Sequence, residues 1–247
     1  YFYNIVIFII LKTNKMQSIK EIYKIGYGPS SSHTMGPSIA AQIFLNNNPD
    51  VHKFSVTLFG SLSATGKGHQ TDKAINKVFH KKQKQVKIIW DYDTVHEYHP
   101  NGMLFKAINE NEEIITDWLV FSVGGGDLEI GEKEKTAVYK HCNMKSILEY
   151  CKMKGFSLWE YVEKYEGNEI WAYLEKIWKV MVKSIRNGMD NEGVLPGSLN
   201  LARKASSYYM KAKNSSGSQR NISLIFSFAL AVSEENAAGG KIVTAPT

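Results

Sequence analysis

Hydrophobic and polar positions follow two different periods along this chain. From Phe54 to Leu58 they alternate, as in a strand with one buried face. Val86–Trp90, Leu104–Ile108 and Leu119–Val123 carry further strand patterns, with turns at His99–Gly102 and Asn109–Asn111. Two helical patterns lie among them. One begins at Pro37, which suits a first helical turn, presents Ile39, Ile43 and Phe44 as its apolar face, and ends in Asn46–Pro49. The other follows a glycine-rich loop, Gly60 to Gly68, and carries Ala74, Ile75, Val78 and Phe79. A short amphipathic helical turn, Ile19–Ile25, precedes both and stops at Gly26 and Gly28. After Gly124-Gly125-Gly126 no strand pattern remains. Ser157 and Glu160 have capping-box spacing. From Glu169 to Asn187, Ile170, Leu174, Ile177, Trp178, Met181 and Ile185 keep helical spacing, with Gly188 placed to end the helix. Ile222–Val232 is apolar nearly all round, which predicts a helix buried in a larger bundle.

The fold class read from these patterns is an α+β N-terminal domain, a mixed sheet with helices, followed by an all-α domain. The division falls in the polar stretch around Gly131–Lys135, giving domains of residues 16–140 and 141–247. The first methionine is Met16, so residues 1–15 read as an extraneous extension. Its apolar part, Tyr1–Leu11, is too short to span a bilayer and lacks a basic flank. The last residues, Lys241–Thr247, show no helix stop or polar tail, so the helical domain reads as truncated.

Composition excludes more than it assigns. A chain of 247 residues with 43% hydrophobic and 12% aromatic content is a folded globular protein, not a disordered one. The net charge of +6 comes mostly from lysines spread along the chain, the mark of a solvated surface and not of a nucleic-acid site. The one dense basic run, Lys77–Lys87, reads as a surface turn. Two cysteines, Cys142 and Cys151, and no convincing signal peptide fit a reducing cytoplasm without disulfides. Their spacing matches no recognised metal-cluster pattern, and buried thiols are expected.

Two loops carry candidate chemistry. Ser30-Ser31-Ser32-His33-Thr34 sits just ahead of a helix start, where free backbone N–H groups and hydroxyls suit a carboxylate or phosphate. Capping alone needs one hydroxyl, and this run supplies four. The Gly60–Asp72 segment invites comparison with a phosphate-binding loop, strand first and helix after. Five residues separate Gly60 from Gly66, however, and Gly68 follows Lys67 where a hydroxyl residue is needed, so ATP binding is not supported. What remains is His69 at a helix N-terminus, with Thr71 as the expected cap and Asp72 in the first turn. A histidine among small residues can reach a ligand and exchange protons near neutral pH. His96 and His99 lack a third metal ligand and read as turn residues, and His52 and His80 need no role.

These residues resemble a known family. Gly28-Pro-Ser-Ser-Ser-His-Thr-Met-Gly-Pro37, Leu58-Phe-Gly-Ser-Leu62, Thr65-Gly-Lys-Gly-His69 with Thr71-Asp-Lys73, and His99-Pro-Asn-Gly-Met103 are similar to motifs of iron–sulfur L-serine dehydratases. Phe121-Ser-Val-Gly-Gly-Gly126 looks like the end of that family's first domain. Glu192-Gly-Val-Leu-Pro-Gly197, Asn236-Ala-Ala-Gly-Gly240 and Val243-Thr-Ala-Pro-Thr247 look like its helical catalytic domain. The resemblance implies deamination of L-serine to pyruvate and ammonia by a cytoplasmic homodimer, without pyridoxal phosphate. It implies a 4Fe–4S cluster held by three cysteines, with the open iron acting as Lewis acid on the substrate hydroxyl. It also implies a base for the α-proton, His69 or alternatively His33. The substrate site would then comprise Ser30, Ser31, Ser32, Thr34, Thr71, Asn101 and Asn236. Gln70 stands where the family often has glycine, and Ser198 lies in a loop usually richer in glycine. The cluster cysteines are expected beyond Thr247, so the chain as given is expected to be inactive alone. A serine-binding regulatory module without chemistry is the alternative.

Overall fold

A computed structural model describes residues 16–129 and 137–244. The expected extension over residues 1–15, the polar stretch around Gly131–Lys135 and the last three residues lie outside them. The described residues form two compact units: residues 23–129 with 177–244, and residues 16–22 with 137–176.

The larger unit is built on a five-stranded mixed sheet. Its strands are β2 (Lys53–Leu58), β3 (Gln85–Trp90), β4 (Gly102–Ile108), β5 (Ile114–Gly124) and β6 (Asp127–Glu129), preceded in the chain by β1 (Ile25–Tyr27). Their order across the sheet is β3-β2-β4-β5-β6, with β2 and β3 parallel and every other pair antiparallel. The parallel pair needs a crossover, supplied by α2 (Gly60–Thr65) and α3 (Thr71–His80); α1 (Gly36–Asn47) precedes β2. Ala40, Ala41, Phe44 and Leu45 of α1 and Ile75 and Phe79 of α3 close over Phe54, Val56, Leu58, Met103, Phe105 and Val120 to make the core. The α+β architecture followed by helices is the one the periodicity predicts.

Several local expectations change. Helix α1 turns Ala40, Ala41, Phe44 and Leu45 inward while Ile39 is exposed, because small residues let the helix approach the sheet closely. The expected glycine-rich loop begins as helix α2. Ser61 N–H is held by the Pro100 carbonyl at 2.9 Å, and the Ser63 and Thr65 hydroxyls donate back to the carbonyls of Gly60 and Ser61. Ile19–Glu21 is a single 3₁₀ turn, and Ile25 already belongs to β1. Strand β6 follows a glycine turn with positive φ at residues 124, 125 and 126. Strand β7 (Lys241–Val243) pairs with β1. Three-residue strands are too short to show a period, which is why the sequence hides them.

The helices of the second half are α4 (Met144–Lys154), α5 (Leu158–Glu166), α6 (Glu169–Asp190), α7 (Ala205–Lys213) and α8 (Gly217–Ala237). Helix α6 does not stop at Gly188. A Cβ there would overlap the Ala231 carbonyl, so this glycine serves close packing of α6 on α8 and not termination. Helix α8 is not enclosed all round among the described residues: Ile222, Ile225 and Phe226 are exposed. Its buried Glu234 accepts hydrogen bonds from the N–H groups of Lys204 (2.6 Å) and Ala205 (3.3 Å), which sets a negative charge at the start of α7.

The smaller unit packs α4 and α5 around Tyr139, Ile147, Cys151 and Tyr161. The capping box is present, with Ser157 N–H donating to Glu160 at 2.8 Å. Glu166 accepts from Ser18 Oγ, Ile19 N–H and Tyr139 Oη at 2.7, 2.8 and 2.7 Å. Burial pushes its carboxyl up, but those three donors together with the Lys20 charge outweigh burial and hold it below the usual range.

Candidate active site

The two ends of the larger unit are joined by a two-stranded ribbon. Strands β1 and β7 pair with Gly26 opposite Ile242, and Thr244 N–H donates to the Lys24 carbonyl at 2.7 Å. Gly28 N–H donates to the Gly240 carbonyl at 3.0 Å, and Asn236 Nδ2 donates to the Pro29 carbonyl at 3.2 Å. A Cβ on Gly28 would overlap the Asn236 carbonyl, so this close approach requires glycine. The serine-rich signature and the Asn236–Gly240 turn, more than 200 residues apart, thereby become neighbours.

Ser31, Asn236 and Thr244 line one cavity of about 730 Å³. Its apolar walls include Trp178, Met181 and Ile185 of α6 and Ala229 and Val232 of α8. Thr244 Oγ1 is buried without a hydrogen-bond partner among the described residues. A buried hydroxyl left unpaired is unfavourable, and a ligand or water in the cavity would satisfy it.

The hydroxyls of the signature have separate tasks. Ser30 caps the following turn, accepting from His33 N–H at 3.1 Å. Ser32 Oγ bonds His33 Nδ1 at 3.0 Å, and Ser61 Oγ bonds the other ring nitrogen, Nε2, at 3.0 Å. Thr34 donates to the His69 carbonyl at 2.8 Å, and Thr71 donates to the His33 carbonyl at 2.5 Å. These last two bonds cross between the loops in opposite directions. Thr71 is thus the first residue of α3 tied to the histidine loop, and Gln70 takes the cap position expected for it. Of the signature's hydroxyl residues Ser31 lines the cavity, next to Pro29.

His33 and His69 come together, with ring centroids 4.6 Å apart. His69 Nδ1 lies 3.0 Å from the Thr65 carbonyl, which can only accept, so Nδ1 carries the proton. In the neutral ring Nε2 is then an acceptor, the form a general base requires. Burial and the adjacent His69 charge both lower the pKa of His33, opposed by hydrogen bonding at the Ser61 backbone. Asn101 is placed differently. It is buried, with Nδ2 donating to the Ser122 carbonyl at 3.1 Å and its backbone N–H donating to His99 Nδ1 at 3.1 Å. Its Oδ1 has no partner among the described residues.

Ser61 and Thr244 were not singled out from the sequence. Ser61 lies in a segment that reads as glycine-rich loop, and Thr244 in a motif recognised only as a whole. Neither shows its role without the ribbon that brings the loops together.

The described residues do not fit an iron–sulfur cluster. No group of three or more His, Cys, Asp or Glu among them could hold a metal ion. Both cysteines belong to the smaller unit; Cys151 is buried, whereas Cys142 is exposed, contrary to the expectation of two buried thiols. No helix among the described residues is long and apolar enough to cross a membrane.

The sequence that builds this sheet, the paired histidines and the cavity is similar to known sequences. Residues 18–83 and 76–133 match the family described as serine dehydratase beta chain. The chain is 35% identical to an L-serine dehydratase of Haemophilus influenzae, over 94% of this chain and 63% of the relative. It is 32% identical to L-serine dehydratase 1 of Escherichia coli with the same coverage, and 34% identical to an L-serine dehydratase of Helicobacter pylori over 93% and 62%. These matches support the L-serine dehydratase family for this chain. It spans about 63% of the length of the relatives it matches.

Proposed function

We propose that this chain supplies the L-serine site and the proton-transferring histidines of an L-serine dehydratase, which converts L-serine to pyruvate and ammonia. The observation that carries the reading is the His33–His69 pair, tied by hydroxyls to a loop that also presents Ser31 to the cavity shared with Asn236 and Thr244. The names of the relatives support the same substrate.

In this reading the hydroxyls of Ser31 and Thr244 and the Asn236 amide bind the polar groups of L-serine. Thr34, Ser61 and Thr71 hold the two histidine loops in register. His69, with Nδ1 held by the Thr65 carbonyl and Nε2 unbonded among the described residues, removes the α-proton. The released electron pair forms the Cα–Cβ double bond, and the β-hydroxyl leaves as water with one proton. The enamine then tautomerises to an imine, and hydrolysis gives pyruvate and ammonia. By family resemblance the complete enzyme uses a 4Fe–4S cluster for Lewis-acid chemistry on the substrate hydroxyl, in place of pyridoxal phosphate. The residues described here provide no ligands for it, so the chain alone binds L-serine and makes no pyruvate. We assign the complete enzyme to the cytoplasm as a homodimer on the same resemblance.

The test is pyruvate formation from L-serine by the protein carrying this chain, prepared without oxygen in the presence of iron and sulfide. Turnover that falls by roughly a thousandfold in His69→Asn supports the reading, the size expected for loss of a general base. Near-normal turnover in His69→Asn removes His69 as the base. No pyruvate from the unaltered protein removes the enzymatic reading.

A further inference from the structure

Gln70 stands in a backbone conformation that favours another residue. Its φ is 56° and its ψ 32°, the left-handed region, where glycine is strain-free and glutamine is not. The conformation is imposed from both sides. The preceding carbonyl, that of His69, accepts from Thr34, and the following side chain, Thr71, donates to His33. Glycine at this position would satisfy the fold at lower strain, so the side chain is not there for the backbone. Strain retained beside a functional loop motivates a functional hypothesis.

The side chain reaches the other half of the site. A Cβ placed on Gly239 would lie 3.7 Å from Gln70 Oε1, 3.8 Å from Gln70 Nε2 and 3.7 Å from the Gly28 carbonyl. The space left by Gly239, itself at φ 80°, is therefore a notch lined by a carboxamide and a backbone carbonyl. It lies where the His69 loop meets the Asn236–Gly240 turn. Among the described residues the Gln70 carboxamide makes no hydrogen bond, although it is only partly exposed. It offers the two N–H donors of its amide nitrogen and a carbonyl acceptor, flanked by residues already assigned to the substrate site.

We propose that Gln70 is a specificity residue of this chain, its carboxamide contacting the polar groups of the bound amino acid at the Gly239 notch. The inference rests on the reading of this site as the L-serine site. A zwitterionic amino acid matches the notch, its ammonium facing Gln70 Oε1 and the Gly28 carbonyl and its carboxylate facing Nε2. Replacement by glycine would relieve strain and remove the contact together, and these two effects have opposite signs.

The experiment is calorimetric titration of the chain with L-serine, with melting temperatures measured in parallel, for the unaltered protein, Gln70→Gly and Gln70→Ala. Gln70→Gly is expected to melt about 2–4 °C higher, as relief of left-handed strain in a domain of this size gives. It is also expected to bind L-serine roughly five- to hundredfold more weakly, as loss of two ligand hydrogen bonds gives. Gln70→Ala keeps the strain, so it should lose affinity to the same degree without the gain in melting temperature. A purely structural role would move melting temperature alone. Unchanged affinity in both variants overturns the role of Gln70 and leaves the L-serine site standing. No binding by the unaltered chain overturns the L-serine site and the Gln70 contact with it.

Discussion

The larger and the smaller unit each hold histidine in a cluster of rings and hydroxyls, and the two settings differ in what orients the ring. His141, in the smaller unit, is surrounded by aromatic rings. Its ring centroid lies 4.7 Å from Tyr150, 5.7 Å from Tyr161 and 6.3 Å from Tyr165, and its Nδ1 bonds Tyr161 Oη at 3.1 Å. Those tyrosines pack on one another and on Tyr139, so the histidine completes a packed core. His33 and His69 instead lie against each other at a tilt of 36°, oriented by the Ser32 and Ser61 hydroxyls and the Thr65 carbonyl, and among the described residues His69 Nε2 makes no hydrogen bond. The difference teaches how to separate a structural histidine from a reactive one. Packing among aromatic rings stabilises the fold. Orientation by short polar groups, beside a second imidazole, prepares chemistry.

The largest effect that would break the contrast comes from Gly28→Ala. The new Cβ would overlap the Asn236 carbonyl, and backbone cannot yield as a flexible side chain can. Loss of about 3 kcal/mol is expected in denaturant unfolding of the larger unit, with loss of L-serine binding. A variant of unchanged stability would mean that the ribbon does not hold the two loops together.

A smaller effect acts on the other unit. Glu166→Gln leaves the three donors from Ser18, Ile19 and Tyr139 facing a neutral amide. A loss of about 2 kcal/mol is expected, together with weaker acid sensitivity. Because the Glu166 pKa is lowered by folding, its stabilisation is complete above about pH 4.5 and is lost as pH falls through the folded value. L-serine affinity should not change, and a change would refute the independence of the two histidine settings.

The smallest effect comes from His33. Folding lowers its pKa, through burial first and the neighbouring His69 charge second. The unfolded chain therefore takes up the proton first as pH falls below 6.5, the ordinary value. Stability from this group is complete above that pH and declines below it. Melting temperature measured from pH 7 to pH 5 should fall less steeply in His33→Gln than in the unaltered chain, and equal slopes would mean that folding does not lower the pKa of this half-buried imidazole.

Periodicity revealed the long elements because their apolar faces repeat several times. Strands β2 and β4 and helix α3 each bury the residues their spacing predicts, as Val56, Phe105 and Ile75 show. Helix α1 misled because its close approach to the sheet uses Ala40 and Ala41, which carry little hydrophobic signal, in place of Ile39. Gly188 misled because glycine marks close packing as readily as a helix end. In the site, the excess of hydroxyls over Ser30–Thr34 was legible, and so was His69 at a helix start. Their division of labour was not. Whether a hydroxyl caps a turn, orients a ring or faces a cavity depends on partners such as Ser61 and Asn236, distant in the chain and brought close only by the fold. Asn101 was visible as a motif residue, while its anchoring to Ser122 needs the hairpin of β4 and β5.

The most direct measurement is an NMR titration of the histidine ring signals with L-serine. Saturable shifts of His33 and His69, with the His141 signals fixed, are the expected result. If L-serine leaves His33 and His69 unmoved, or moves His141 as much, the paired histidines are not part of an L-serine site.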